Sequence, residues 1–181
     1  YVHTLLTSAF SHVDATHLLF NMLALWVFGK DVCKVVGRWT FLHLYVAGGV
    51  LASLAHVGFS WLTGDPTPAL GASGAVMAIA VLFGALYPRR TLMINFIIPI
   101  PAALAVALYV ILDVAGLFSA GSSIAHAAHL GGALYGFLYY RYGHRVDRFF
   151  TKMEVKAAVK SERKKDTERE RLQAEMDRLL D

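Results

Sequence analysis

Ser73 lies in Gly71-Ala72-Ser73-Gly74, where the chain enters an apolar run. A serine at the start of a helix, flanked by glycines, presents its hydroxyl beside backbone N–H groups that have no helical acceptor. Those amides carry partial positive charge and can hold an oxyanion. A histidine within reach can take the serine proton during attack on a carbonyl and return it to a leaving amine. His129, in a later apolar run, is the candidate base. His17 and Asn21 are spaced i,i+4 in the first apolar run, so they share a helix face and can donate further hydrogen bonds to the oxyanion. Losing one such donor typically raises a barrier by about 3–4 kcal/mol. These parts describe acyl transfer through a serine nucleophile. A lone serine on an apolar helix is more often packing glue, so the reading depends on all four groups meeting.

The elements that must bring them together are apolar. The 181 residues are 56% hydrophobic, and a mean hydropathy of +0.50 is too high for an ordinary soluble domain. Charge is unevenly spread: residues 1–142 carry ten of the thirty charged side chains, and residues 143–181 carry twenty. Two regions follow, a membrane body over 1–142 and a charged, soluble helical tail over 143–181. Five hydrophobic segments are expected, at about 17–36, 41–62, 71–87, 92–118 and 122–142. A spanning helix needs about 20 mostly apolar residues, and Pro99 and Pro101 in the fourth segment are tolerable in a membrane helix whose neighbours satisfy the freed carbonyls. Lys30, Lys34, Arg38, Arg89, Arg90, Arg141 and Arg145 all fall on one side if the segments alternate, while the opposite loops carry only Asp65. The basic turns and the tail are therefore expected in the cytoplasm. That orientation puts His17, Asn21, Ser73 and His129 at one depth in the outer leaflet, with His129 two turns into its helix.

Gly132 and Gly136 form a Gly-x-x-x-Gly on the fifth segment, on the stripe that also bears His129. Small residues let membrane helices approach closely. The expected contact brings His129 toward Ser73, itself beside Gly74 and Ala78.

These residues carry a resemblance. His12-Val13-Asp14-Ala15-Thr16-His17-Leu18-Leu19-Phe20-Asn21 resembles the rhomboid His…His-x-x-x-Asn motif. Gly71-Ala72-Ser73-Gly74 resembles its Gly-x-Ser-Gly, and Ala128-His129-Leu130-Gly131-Gly132 its Ala-His-x-x-Gly. The three motifs occur in the family's order over about residues 8–140. The resemblance implies an all-α, polytopic membrane helix bundle of rhomboid type, with five of its six core helices present. It implies an intramembrane serine endopeptidase with no cofactor or metal, acting on transmembrane segments of single-pass proteins within a lipid bilayer. It further implies a Ser73–His129 dyad without a third acid, and an oxyanion site made by His17, Asn21 and the backbone around Gly71 and Ser73. His12 takes a structural role, and the fourth segment resembles the family's mobile gate helix. Three departures are expected to matter. The family's first helix and its membrane-lying loop are missing, so the chain reads as a fragment. Met77 stands where many relatives carry an aromatic residue on the base histidine, and its thioether is the expected packing partner there. The wording around Ser73 and His129 also resembles the mitochondrial branch, although the charged tail and loop bias favour a bacterial inner membrane.

Other residues have blander roles. His126 is expected to be a structural hydrogen-bonder, and Asp113 a polar contact near water at the outer end of segment four, since charge at mid-membrane is costly. Trp26, Trp39 and Trp61 fit interfacial anchoring. Cys33 alone makes no internal disulfide. The tail, with eleven basic and nine acidic residues, offers no clean basic stripe for nucleic acid. The alternatives weighed are a catalytically silent rhomboid-like protein that binds membrane clients, a metal site built from His12, His17, His126 and His129, and a transporter. Retention of both Ser73 and His129, the lack of a nearby Cys or Glu ligand, and the lack of an inverted repeat respectively count against them.

Overall fold

A computed structural model describes residues 3–64, 68, 70–94, 97–119 and 125–180 of the chain. Asp65 and the expected start of the fifth segment at Ser122 lie outside the described residues. Two compact units are present, Tyr1–Gly143 and His144–Asp181. The first opens with a short helix α1 (Thr4–Thr7) and a 3-10 turn, Ser8–Phe10, then α2 (Ala15–Val36), α3 (Arg38–Thr63) and α4 (Ser73–Leu86). A hairpin of β1 (Thr91–Ile94) and β2 (Ile98–Pro101) follows, then α5 (Ala102–Gly116) and α6 (His126–Tyr142). The second unit is one helix, α7 (His144–Leu180), as its Ala-, Glu-, Lys- and Arg-rich composition without Gly or Pro favours.

The expected helical bundle is present, with one change of boundary. Segment four does not run as a kinked helix from residue 92. Thr91–Ile94 pairs antiparallel with Ile98–Pro101, in the register Leu92↔Ile100 and Met93↔Pro99. Pro99 and Pro101 lack amide donors and would each forfeit a helical hydrogen bond. Pro101 instead sits at the N-cap of α5 with extended backbone (φ −62°, ψ 140°), where no amide is needed. The amide of Ala102 donates to Arg90 O at 2.8 Å, tying the start of α5 to the end of α4's exit turn.

Helices α3, α4 and α6 form the centre, and small residues set their spacing. A Cβ on Gly48 would lie 2.8 Å from Ala78 Cβ, and one on Gly131 would lie 3.0 Å from Leu51 O. Gly132 and Gly136 lie directly on the backbone of Gly74 and Ala78, so α4 and α6 touch main chain to main chain. Phe83, Leu44, Ile79, Leu82 and Val32 are the largest fully buried side chains. α4 is buried on nearly every face. By contrast α5 buries only Ala102 and Asp113, one near each end.

Among the described residues, α3 alone is long and apolar enough to cross a membrane, while α4 and α5 are shorter apolar helices. The 26 residues of α3 extend about 39 Å and the 14 of α4 about 21 Å. α4 needs no lipid-spanning length because its neighbours surround it. The difference sets a depth. Gly74 packs against Ala52, and eleven residues of α3, about 16 Å, continue from there to Thr63. Ser73 therefore starts its helix well below the end of α3.

Candidate active site

Two constraints hold the turn into α4. Gly71 has φ +116°, which L side chains rarely adopt. A Cβ there would also lie 2.5 Å from His17 Cε1, so the imidazole rests directly on the glycine backbone. The Gly71 amide donates to Ser8 O at 2.9 Å. Val76 N–H bonds back to Ala72 O at 2.9 Å, and α4 has no side-chain cap. The amides of Ser73, Gly74 and Ala75 thus begin the helix without an acceptor inside it.

Ser73 and His129 meet. Ser73 Oγ lies 2.8 Å from His129 Nε2, and His129 is 8% exposed. Helix α6 starts at His126, so His129 is in its first turn, one turn nearer the helix start than expected. Behind it, His129 Nδ1 lies 2.9 Å from Asp113 Oδ1. The same oxygen lies 2.7 Å from His126 Nδ1. Both contacts run through Nδ1, so a carboxylate that accepts from each ring leaves the lone pair of His129 Nε2 facing the Ser73 hydroxyl. The histidine that faces Ser73 thus also faces a carboxylate, a neighbour that the resemblance did not imply. Asp113 is 2% exposed, not at the water interface: two imidazoles meet its Oδ1, while its Oδ2 is buried without a partner among the described residues.

The oxyanion candidates are arranged around the same turn. Asp14 caps α2 by accepting from the His17 amide at 2.7 Å, which fixes where His17 leaves the loop. Asn21 is buried, and its Nδ2 donates to His17 O at 2.9 Å, leaving one N–H of the amide for another acceptor. His12 sits edge-on to His17, ring centroids 5.3 Å apart, with its Nε2 buried and unpartnered. Gly74 approaches Ala128 O, a Cβ there lying 3.2 Å from it. Met77 is buried in α4. The ring facing His129 from outside its own helix is Tyr109 of α5, at 6.2 Å and 49°.

Residues 1–146 match the Rhomboid domain family. The chain belongs to the rhomboid family. It is 39% identical over 141 residues to presenilin-associated rhomboid-like protein A, mitochondrial, of Danio rerio, covering 77% of this chain and 37% of that one. It is 40% identical over 146 residues to RHOMBOID-like protein 12, mitochondrial, of Arabidopsis thaliana, covering 73% and 44%. Rhomboid protein 1, mitochondrial, of Saccharomyces cerevisiae is 36% identical over 140 residues, covering 75% and 40%. The chain spans about two fifths of the length of these relatives.

In this rhomboid, the structure adds two neighbours of His129 that the motifs do not name, Asp113 and Tyr109. Tyr109 and Asp113 are i,i+4 on α5, and His126 and His129 are i,i+3 on α6, so each pair shares a helix face; that the two faces meet is seen only in the structure. The four-histidine metal set is not assembled. Among the described residues, the group whose donor atoms converge within 4.8 Å is Asp113, His126 and His129. The hydrogen bonds at 2.7 and 2.9 Å already account for that convergence.

Proposed function

We propose that this chain is the core of an intramembrane serine endopeptidase cleaving transmembrane segments of single-pass membrane proteins. The observation that carries the reading is the 2.8 Å contact between Ser73 Oγ and His129 Nε2, below the outer end of α3 and inside an apolar bundle. Ser73 attacks the scissile carbonyl as His129 takes its proton. The oxyanion develops beside the free amides at the start of α4, with His17 and Asn21 as further donors. His129 then protonates the leaving amine, and water admitted from the outer side hydrolyses the acyl-enzyme. A scissile bond at this depth must lie near the top of a substrate helix and unwind to reach the serine, because helical carbonyls are already hydrogen-bonded.

We further infer residence in the mitochondrial inner membrane. The sequence alone favoured a bacterial membrane, but the relatives quoted above carry mitochondrial names and lend that expectation no support. A fluorophosphonate probe applied to the full-length protein in proteoliposomes tests the chemistry. Wild type is expected to be labelled, and Ser73→Ala and His129→Ala are not. Equal labelling of wild type and Ser73→Ala would remove the serine from the mechanism.

A further inference from the structure

The base histidine meets two side chains, Asp113 and Tyr109, from α5, which buries the fewest residues of the longer helices α2–α6. Helix α5 turns mostly apolar side chains outward, with Ile111 61% and Leu112 67% exposed. Its one buried polar side chain is Asp113. Near that end, His126 packs its ring on the backbone of Gly116 while its Nδ1 meets Asp113 Oδ1 at 2.7 Å. The carboxylate is thus met by a second imidazole besides the one that faces Ser73. Tyr109, one turn earlier on the same face, stands against the His129 ring.

We propose that Asp113 is a positioning residue for His129: it holds the ring in the Nδ1–H tautomer, His126 holds the carboxylate, and both depend on α5 being seated against α6. The proposal rests on the Ser73–His129 reading. Without Asp113 the imidazole is free to carry its proton on Nε2, where it meets Ser73 as a donor and cannot accept the serine proton. In the transition state the same carboxylate faces an imidazolium, which it stabilises without becoming protonated. This is the logic of a serine–histidine–aspartate triad, with the acid supplied by a loosely covered membrane helix.

Two measurements on the full-length protein decide it. The first is the His129 tautomer, read from ring 15N shifts and assigned with a His129→Gln control. Wild type is expected to show Nδ1–H, and Asp113→Asn to shift population to Nε2–H. The second is single-turnover cleavage of a transmembrane reporter in proteoliposomes. Asp113→Asn is expected to lower the cleavage rate about 10²- to 10⁴-fold, with reporter binding within about twofold of wild type. His126→Gln should lower it less, and the double variant should be no slower than Asp113→Asn, since His126 acts through the carboxylate. An Nε2–H wild type, or Asp113→Asn at the wild-type rate, overturns the proposal. Additive losses in the double variant overturn the part given to His126. Should Asp113→Asn fail to fold, the wild-type tautomer still decides. Should wild type prove inactive toward probe and reporter, the protease reading fails, while the tautomer still reports whether Asp113 orients the ring.

Discussion

Replacing Gly132 by alanine puts one methyl group where α6 meets α4. A Cβ at this position falls on the Gly74 carbonyl oxygen. Neither partner can swing away, because both are main chain. A comfortable carbon–oxygen contact is about 3.3 Å or more, so relief requires the helices to part by more than about 1 Å. Gly74 is bonded to Ser73, and His129 lies one turn before Gly132, so the separation opens where Ser73 Oγ and His129 Nε2 stand 2.8 Å apart. A misplacement of about 1 Å at a reacting pair costs about 10²-fold in rate, or roughly 2.7 kcal/mol. Overpacking separately lowers stability by about 1–3 kcal/mol. Gly132→Ala is therefore expected to remain helical, melt lower, and cleave a transmembrane reporter about 100 times more slowly at unchanged reporter affinity. Gly132→Val should abolish cleavage. Gly58→Ala is the control, since nothing lies within 4 Å of a Cβ there, and it should match wild type. A folded Gly132→Ala with more than half the wild-type rate would refute the claim that this backbone contact sets the Ser73–His129 distance.

Three further outcomes are expected. Asp14→Ala removes the acceptor for the His17 amide. It should lower stability by about 1 kcal/mol in a detergent melt, and Asp14→Ser should restore most of the loss. Gly71→Ala meets both a positive φ and the His17 ring. It should lose more than about 1 kcal/mol of stability and slow fluorophosphonate labelling at least about tenfold, whereas labelling at the wild-type rate would show that His17 and the turn do not act together. Asp31→Asn removes the carboxylate charge that faces Arg90 Nη1 at 2.8 Å and Lys34 Nζ at 3.5 Å. Arg90 is about half exposed, so the cost should be about 1–2 kcal/mol, below that of a fully buried pair. The labelling rate should not change.

Most of the bundle is legible because hydropathy reports directly on burial. The boundaries of α2, α3 and α4 fell within a few residues of the apolar runs. Segment four departs from its expected helix because a continuous apolar run does not distinguish strand from helix, and Pro99 and Pro101 fit a tolerated kink as readily as a hairpin. In the structure their missing amides suit a hairpin and the N-cap of α5. Ser73, His129, His17 and Gly71 could be named from motif and spacing. A general cost for buried charge places Asp113 at the water interface, whereas here two histidines thirteen and sixteen residues later meet its Oδ1. Donors supplied by another helix do not appear in the spacing of the helix that carries the acid.

The site divides into two parts that constrain different variables. The glycine contacts of α4 and α6 fix a distance, that between the serine oxygen and the imidazole. Helix α5 carries the groups that fix a proton, the tautomer of that imidazole. The first part is main chain against main chain in the buried centre and has little freedom. The second depends on a helix with two buried positions, the fewest of the longer helices α2–α6. If α5 swings out to admit a substrate helix, the serine and histidine stay at contact distance but lose their bias toward the reactive tautomer, and the bias returns when α5 reseats. Gly132 and Asp113 variants should then fail in different ways. A glycine variant keeps Nδ1–H and loses the contact, whereas an Asp113 variant keeps the contact and loses Nδ1–H.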